Sequence, residues 1–157
     1  MPNKIIKKVQ AIIYDLPCEI PRLAGSRLGR ISQGRPYFLI LHRVLRWRGW
    51  EFLKGTLKKG ETPKQAIKRE IKEETKLKNF RIIKSLHQKE KWEIGGKKYV
   101  IADVFLIKAD MNEKLSLKQR KIEHNKYLWA DKKTVLKKLT WPKTKEFLKE
   151  IKLKNLL

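Results

Sequence analysis

Residues 55–77, GTLKKGETPKQAIKREIKEETKL, decide how the chain is read. Within them Glu70, Glu73 and Glu74 stand at i, i+3 and i+4, so a helix would carry three carboxylates on one face. Like charges at that spacing repel and weaken a helix standing alone. A bound cation removes the penalty, and oxygen-only ligands suit a hard ion such as Mg²⁺ or Mn²⁺ rather than zinc. The bland alternative is a solvated acidic face. The helix start is well marked: Thr62 is a good N-cap, Pro63 suits the first helical position, and Gln65 follows Thr62 at capping-box spacing. Ala66, Ile67 and Ile71 form its buried side. Gly55 and Gly60 bound the preceding loop and leave its backbone free to turn toward a ligand.

A chain of 157 residues is one domain's worth, enough for a real core. Forty Lys and Arg against sixteen Asp and Glu give a net charge of +24, a field that attracts nucleotides, RNA, DNA or acidic membrane. The lysines are spread along the chain, so a solvated basic surface explains them equally well. Cys18 is the only cysteine, which excludes an internal disulfide and fits a reducing cytoplasm. The N-terminus, MPNKIIKKVQ, lacks the apolar run of a signal peptide, and nothing approaches 18 consecutive apolar residues. A cytoplasmic protein without a membrane span is therefore expected.

The chain reads as alternating strands and helices. Strands are expected at 8–14, 36–45, 50–54, 80–88, 98–107 and 126–129, with turns at 46–49 and at Gly95–Gly96. Along 98–107 the face made by Val100, Ala102, Val104 and Leu106 is wholly apolar and is expected to meet the core. Residues 15–35 read as a long basic loop with Arg22, Arg27, Arg30 and Arg35, open to a phosphate or RNA contact or simply to solvent. Asp131 should cap a helix to Leu139, and Pro142 should open a last helix over 142–157. The sum is an α/β (α+β) chain, 1–157 as a single domain, with a mixed sheet and helices on both faces.

The 55–77 stretch resembles the signature of the Nudix hydrolases, G-x5-E-x7-R-E-U-x-E-E-x-G-U with U aliphatic. Gly55, Glu61, Arg69, Glu70, Ile71, Glu73, Glu74 and Leu77 all fall in place, and Lys76 stands where the pattern has its last glycine. The six fixed residue types would coincide in a given window about once in 10⁷ tries at average residue usage. The departure lies just past the helix, where a left-handed cap is usual. Lysine can adopt that conformation at a cost of about 1 kcal/mol.

This resemblance implies an α/β/α sandwich and Mg²⁺-dependent hydrolysis of a pyrophosphate linkage. It implies that Glu70, Glu73 and Glu74 hold the metal with the Gly55 carbonyl, and that Arg69 pairs with Glu61 to brace loop against helix. Further on, Glu123, His124, Tyr127 and Trp129 resemble the E-H-x-x-Y-x-W segment of the branch that splits diadenosine tetraphosphate. There Glu123 would be a distal metal ligand or the general base, in competition with Glu70, and His124 and Tyr127 would lie at the substrate. Trp50, Phe52, Lys54 and Gly55 resemble that branch's W-x-F-P-K-G, with Leu53 in place of proline. Lys54 then reads as a phosphate contact or a solvated lysine. Trp92 falls where the branch stacks an aromatic ring on adenine, or it is a partly buried turn residue. The implied partner is a nucleotide, preferably a dinucleoside tetraphosphate. Alternatives are an RNA 5′-end pyrophosphohydrolase, an RNA-binding relative, or a pyrophosphatase of other nucleoside di- and triphosphates.

Overall fold

In the computed structural model the described residues are 4–17, 35–95 and 98–152, without the side chains of 4, 87–92, 94, 98 and 99. Strand β1 (Lys4–Asp15) is the axis of the fold. Its alternation sends Val9, Ala11 and Ile13 to one face and Ile12 and Tyr14 to the other, and all five are buried. A strand that is apolar on both faces needs cover on both. Strand β6 (Lys98–Ala109) runs parallel to it from Lys4↔Lys98 to Tyr14↔Lys108. Strand β5 (Phe80–Ile94) pairs antiparallel with β6 and forms that edge.

On the other side lie β2 (Tyr37–Arg43), β3 (Gly49–Glu51), β4 (Leu53–Thr56) and β7 (His124–Asp131). The chain from Gly49 to Thr56 pairs first with β2 and then, past Phe52, with β1. Strand β7 pairs antiparallel with β2, with its register shifting between His42 and Arg43. Gly49 is required where it stands, because a Cβ there would fall 2.1 Å from the Thr140 hydroxyl.

Helix α1 (Pro63–Thr75) lays Ala66, Ile67 and Ile71 on one face of the sheet, against Val9, Ala11, Leu39, Leu53 and Ile107. Helices α2 (Lys132–Lys138) and α3 (Pro142–Glu150) cover the other face with Val135, Leu139 and Leu148, against Ile12, Phe38, Ile40, Phe52 and Leu106. The result is the expected α/β/α sandwich on a mixed seven-stranded sheet.

Three expectations are corrected. Strand β6 has two buried faces rather than one, since Phe105 and Ile107 meet the α1 layer while Val104 and Leu106 meet the α2–α3 layer. Strands β1 and β5 are longer than read, because their lysine-rich ends pair in the ladder despite poor strand propensity. The last helix stops at Glu150 rather than reaching 157. Ile151 is already extended, and Lys132 Nζ donates to the carbonyls of Lys149 and Ile151, capping the end. Residues 153–157 and most of the basic loop, 18–34 with Cys18, lie outside the described residues.

Candidate active site

Gly55 lies in β4 and Glu70 on α1, and the two meet. A Cβ built on Gly55 would fall 2.1 Å from Glu70 Cγ. The glycine is therefore needed for the space the glutamate fills. Thr62 and Gln65 form a full capping box, which fixes where α1 begins and so which residues face the site. Lys76 takes the left-handed conformation at the C-cap, φ 61°, and its Nζ donates to the Glu73 carbonyl.

Arg69 is the hub of the first of two charge clusters. Its Nε and Nη2 grip the two oxygens of Glu61 at 2.7 and 2.8 Å. Nη1 donates to Glu70 at 2.8 Å and to Glu73 at 3.2 Å, and Nη2 also reaches the Thr56 carbonyl. One guanidinium thus ties the loop, the end of β4 and the helix together. Hydrogen bonds from Arg69, and from the Lys58 amide, hold the Glu61 carboxyl down to about 2. Burial pushes the Glu70 carboxyl up against the opposing pull of Arg69, and Glu74 and Glu73 push it further.

Glu74 belongs to the second cluster, on the buried side of α1. Its nearest oxygen lies 3.1 Å from His124 Nδ1, and one oxygen of each acid lies with a ring nitrogen of His124 inside a 4.8 Å group that includes Glu123. Glu74 Oε2 is buried and pairs with His124 at 3.1 Å. Burial raises the Glu74 carboxyl, His124 opposes this, and Glu123 adds to the rise. His124 is buried at the start of β7, with Nε2 2.8 Å from Glu51 Oε1. Burial lowers its pKa, but the hydrogen bonds to Glu51 and Glu74 outweigh that and leave the ring at about 9.

The acids anticipated as one metal set therefore fall into two adjoining groups: Glu70 and Glu73, which share Arg69 with Glu61, and Glu74 with Glu123 beside His124. Glu73 is half exposed at the rim. The donor set fits a hard divalent ion, because Glu74 and Glu123 bring carboxylate oxygens within 4.8 Å of one another. Tyr127 is exposed on β7, on the α1 side of the sheet like Leu41 opposite it. Lys54 pairs across β4 with Gln10 of β1, so it projects to the face opposite Gly55. Trp92 pairs with Val100 in β5, and its ring lies outside the described side chains. Trp129 packs on the α1 side. Sequence reading missed Glu51 and Arg43, which bond at 3.0 Å; neither is a fixed residue of a motif, and Glu51 meets His124 from 73 positions away.

The model of the NUDIX domain family matches residues 30–151, and the chain belongs to that family. It is a Nudix hydrolase. No curated protein matches it in sequence. Among solved structures, the Ap4A hydrolase of C. elegans in a binary complex is similar at a TM-score of 0.70 and 21% identity, covering 92% of this chain and 93% of that one. The E. coli ORF135 protein aligns at 0.63 and 21%, over 94% and 88%. The E. coli dihydroneopterin triphosphate pyrophosphohydrolase aligns at 0.63 and 17%, over 92% and 93%. At these identities the likeness is one of fold. No helix among the described residues is long and apolar enough to cross a membrane.

Proposed function

We propose that this hydrolase cleaves a phosphoanhydride bond in a dinucleoside tetraphosphate such as diadenosine tetraphosphate, with Mg²⁺ or Mn²⁺ as cofactor. The observation that carries the metal part is the buried Glu74 carboxyl group, close to Glu123 within a 4.8 Å group of donor atoms, in a chain otherwise rich in cations. Glu70, Glu74 and Glu123 would hold the ions, with Glu73 at the rim and the Gly55 carbonyl beside Glu70. Bound there, divalent ions offset charge on the leaving phosphate and lower the pKa of an attacking water. Either Glu70 or Glu123 takes the proton from that water, since both lie among the acids. Arg69 and Glu61 keep the loop and helix in register. Tyr127 and Trp92 are assigned to substrate, Lys54 is not because it projects to the face opposite Gly55, and His124, buried between two carboxylates, is assigned to positioning. The substrate choice rests on the Glu123-His124, Tyr127 and Trp129 segment and on the fold shared with the nematode hydrolase.

With Mg²⁺, diadenosine tetraphosphate plus water should give ATP and AMP. Glu74→Gln should lower turnover by about 10²- to 10³-fold, the usual loss for a group that stabilises transition-state charge. Turnover of a sugar nucleotide but not of diadenosine tetraphosphate would reject the substrate and leave the class.

A second reading, action on an RNA 5′ end, is favoured by the hairpin between β2 and β3. Trp47 packs edge-on to Trp141 at 5.2 Å, Arg43 sits over Trp47, and Arg46, Arg48 and Trp141 are exposed. Exposed aromatic and cationic side chains together suit stacked bases and phosphates. Phosphate release from a triphosphorylated oligonucleotide, compared between wild type and Glu74→Gln, distinguishes this reading from binding alone.

A further inference from the structure

Glu51, Arg43 and His124 form a buried row of alternating charge that ends on Glu74. Glu51, at the end of β3, is almost wholly buried. Its Oε1 accepts from Arg43 Nη1 at 3.0 Å and lies 2.8 Å from His124 Nε2. Across the ring, His124 Nδ1 lies 3.1 Å from Glu74 Oε2. Arg43 is itself anchored, donating from Nε to the Leu45 carbonyl at 2.9 Å and lying over the Trp47 ring at 5.6 Å. The row thus joins the β2–β3 hairpin, β7 and α1 through side chains alone.

Two features give the row a purpose. A buried carboxylate is costly unless opposite charge meets it, and Glu51 has two such partners at hydrogen-bond distance. The two ring nitrogens of His124 face Glu51 and Glu74, so the ring bridges the two carboxyl groups. His124 thus stands between Glu51 and Glu74, with both nitrogens engaged, although it lies in one 4.8 Å group with Glu74 and Glu123. His124 is the cationic-type partner that meets the buried Glu74 carboxyl group from behind. Partners behind a ligand that fix its orientation commonly govern metal affinity.

We propose that Glu51, held by Arg43 and acting through His124, is a positioning residue that aims Glu74 at the cation site. This rests on the reading of Glu74 as a metal ligand. The test is Mn²⁺ binding to the free enzyme, followed by electron paramagnetic resonance, alongside steady-state kinetics. Glu51→Gln keeps the shape and removes the charge. It should weaken Mn²⁺ binding about 10- to 100-fold, with kcat falling in step and KM for substrate little changed. His124→Gln should do the same, and the double variant should be no worse than His124→Gln alone, because the two act in series. If Glu51→Gln does not fold, Arg43→Gln provides the same readout at the far end of the row.

Unchanged Mn²⁺ affinity in folded Glu51→Gln, with affinity lost in Glu74→Gln, would overturn the positioning role and leave Glu74 a ligand. Affinity unchanged in Glu74→Gln would overturn the ligand reading and the positioning role with it. A nitrogen hyperfine coupling on bound Mn²⁺ would make His124 a ligand and sink the proposal.

Discussion

Two residues show how far a motif can be read without its surroundings. Lys76 departs from the glycine of the signature, and the structure gives it the left-handed backbone that glycine would adopt freely. The position demands a conformation, and lysine meets it at a cost. Lys76→Gly should therefore stabilise the protein by about 1 kcal/mol, less whatever its bond to the Glu73 carbonyl contributes. For a chain of this size that is a rise in Tm of about 2–4 °C, measurable by calorimetry; an unchanged or lower Tm would show that the capping bond outweighs the strain. Gly55 teaches the converse. Its importance was legible from spacing, but the reason suggested by composition was backbone freedom toward a ligand. The structure adds a steric reason, since the Glu70 side chain occupies the space a Cβ would take.

Among elements, those with a local signal were read well. Helix α1 begins at Pro63 behind the Thr62 cap because both capping bonds lie within three residues. Helix α2 begins at Asp131 in the same manner, its carboxylate accepting from the Thr134 amide at 2.8 Å. Hydrogen bonds from the Thr134 side chain and from this amide lower the Asp131 pKa below its ordinary 3.8. A carboxyl lowered on folding stabilises above the unfolded value and loses its contribution as pH falls through the folded one. Asp131→Ala should cost about 1 kcal/mol at pH 7. Denaturant melts should show the two proteins converging as the pH falls below the ordinary 3.8, whereas a constant gap would assign the loss to something other than the charged cap. The ends of β1, β5 and α3 were misplaced, because lysine-rich strand ends and a capped helix terminus are decided by partners distant in sequence.

For the whole molecule, the +24 charge surrounds a site built from acids. Such a field concentrates anionic ligands whatever their identity. Binding of a single-stranded RNA oligonucleotide is the sharpest probe of whether the lysines and the Trp47–Trp141 hairpin act together. If several phosphates are neutralised, affinity should fall about 10²-fold between 50 and 200 mM salt. A flat dependence would mark the lysines as a solvated surface. The two-sided core belongs to this scale as well. Apolar residues on both faces of β1 and β6 call for two covering layers, and only assembly assigns α1 to one face and α2 with α3 to the other.

The sequence by itself determined the family signature, the start of α1, the acids available to a cation and the alternation of strands and helices. These depend on neighbours within a turn or on residue spacing, which the linear order carries. The tertiary structure alone decided that Arg69 gathers Glu61, Glu70 and Glu73 while Glu74 joins Glu123 and His124, and that Glu51 stands behind His124. Glu51 and His124 lie 73 positions apart and meet only once β3 and β7 have both paired with β2, so no local pattern could announce their contact.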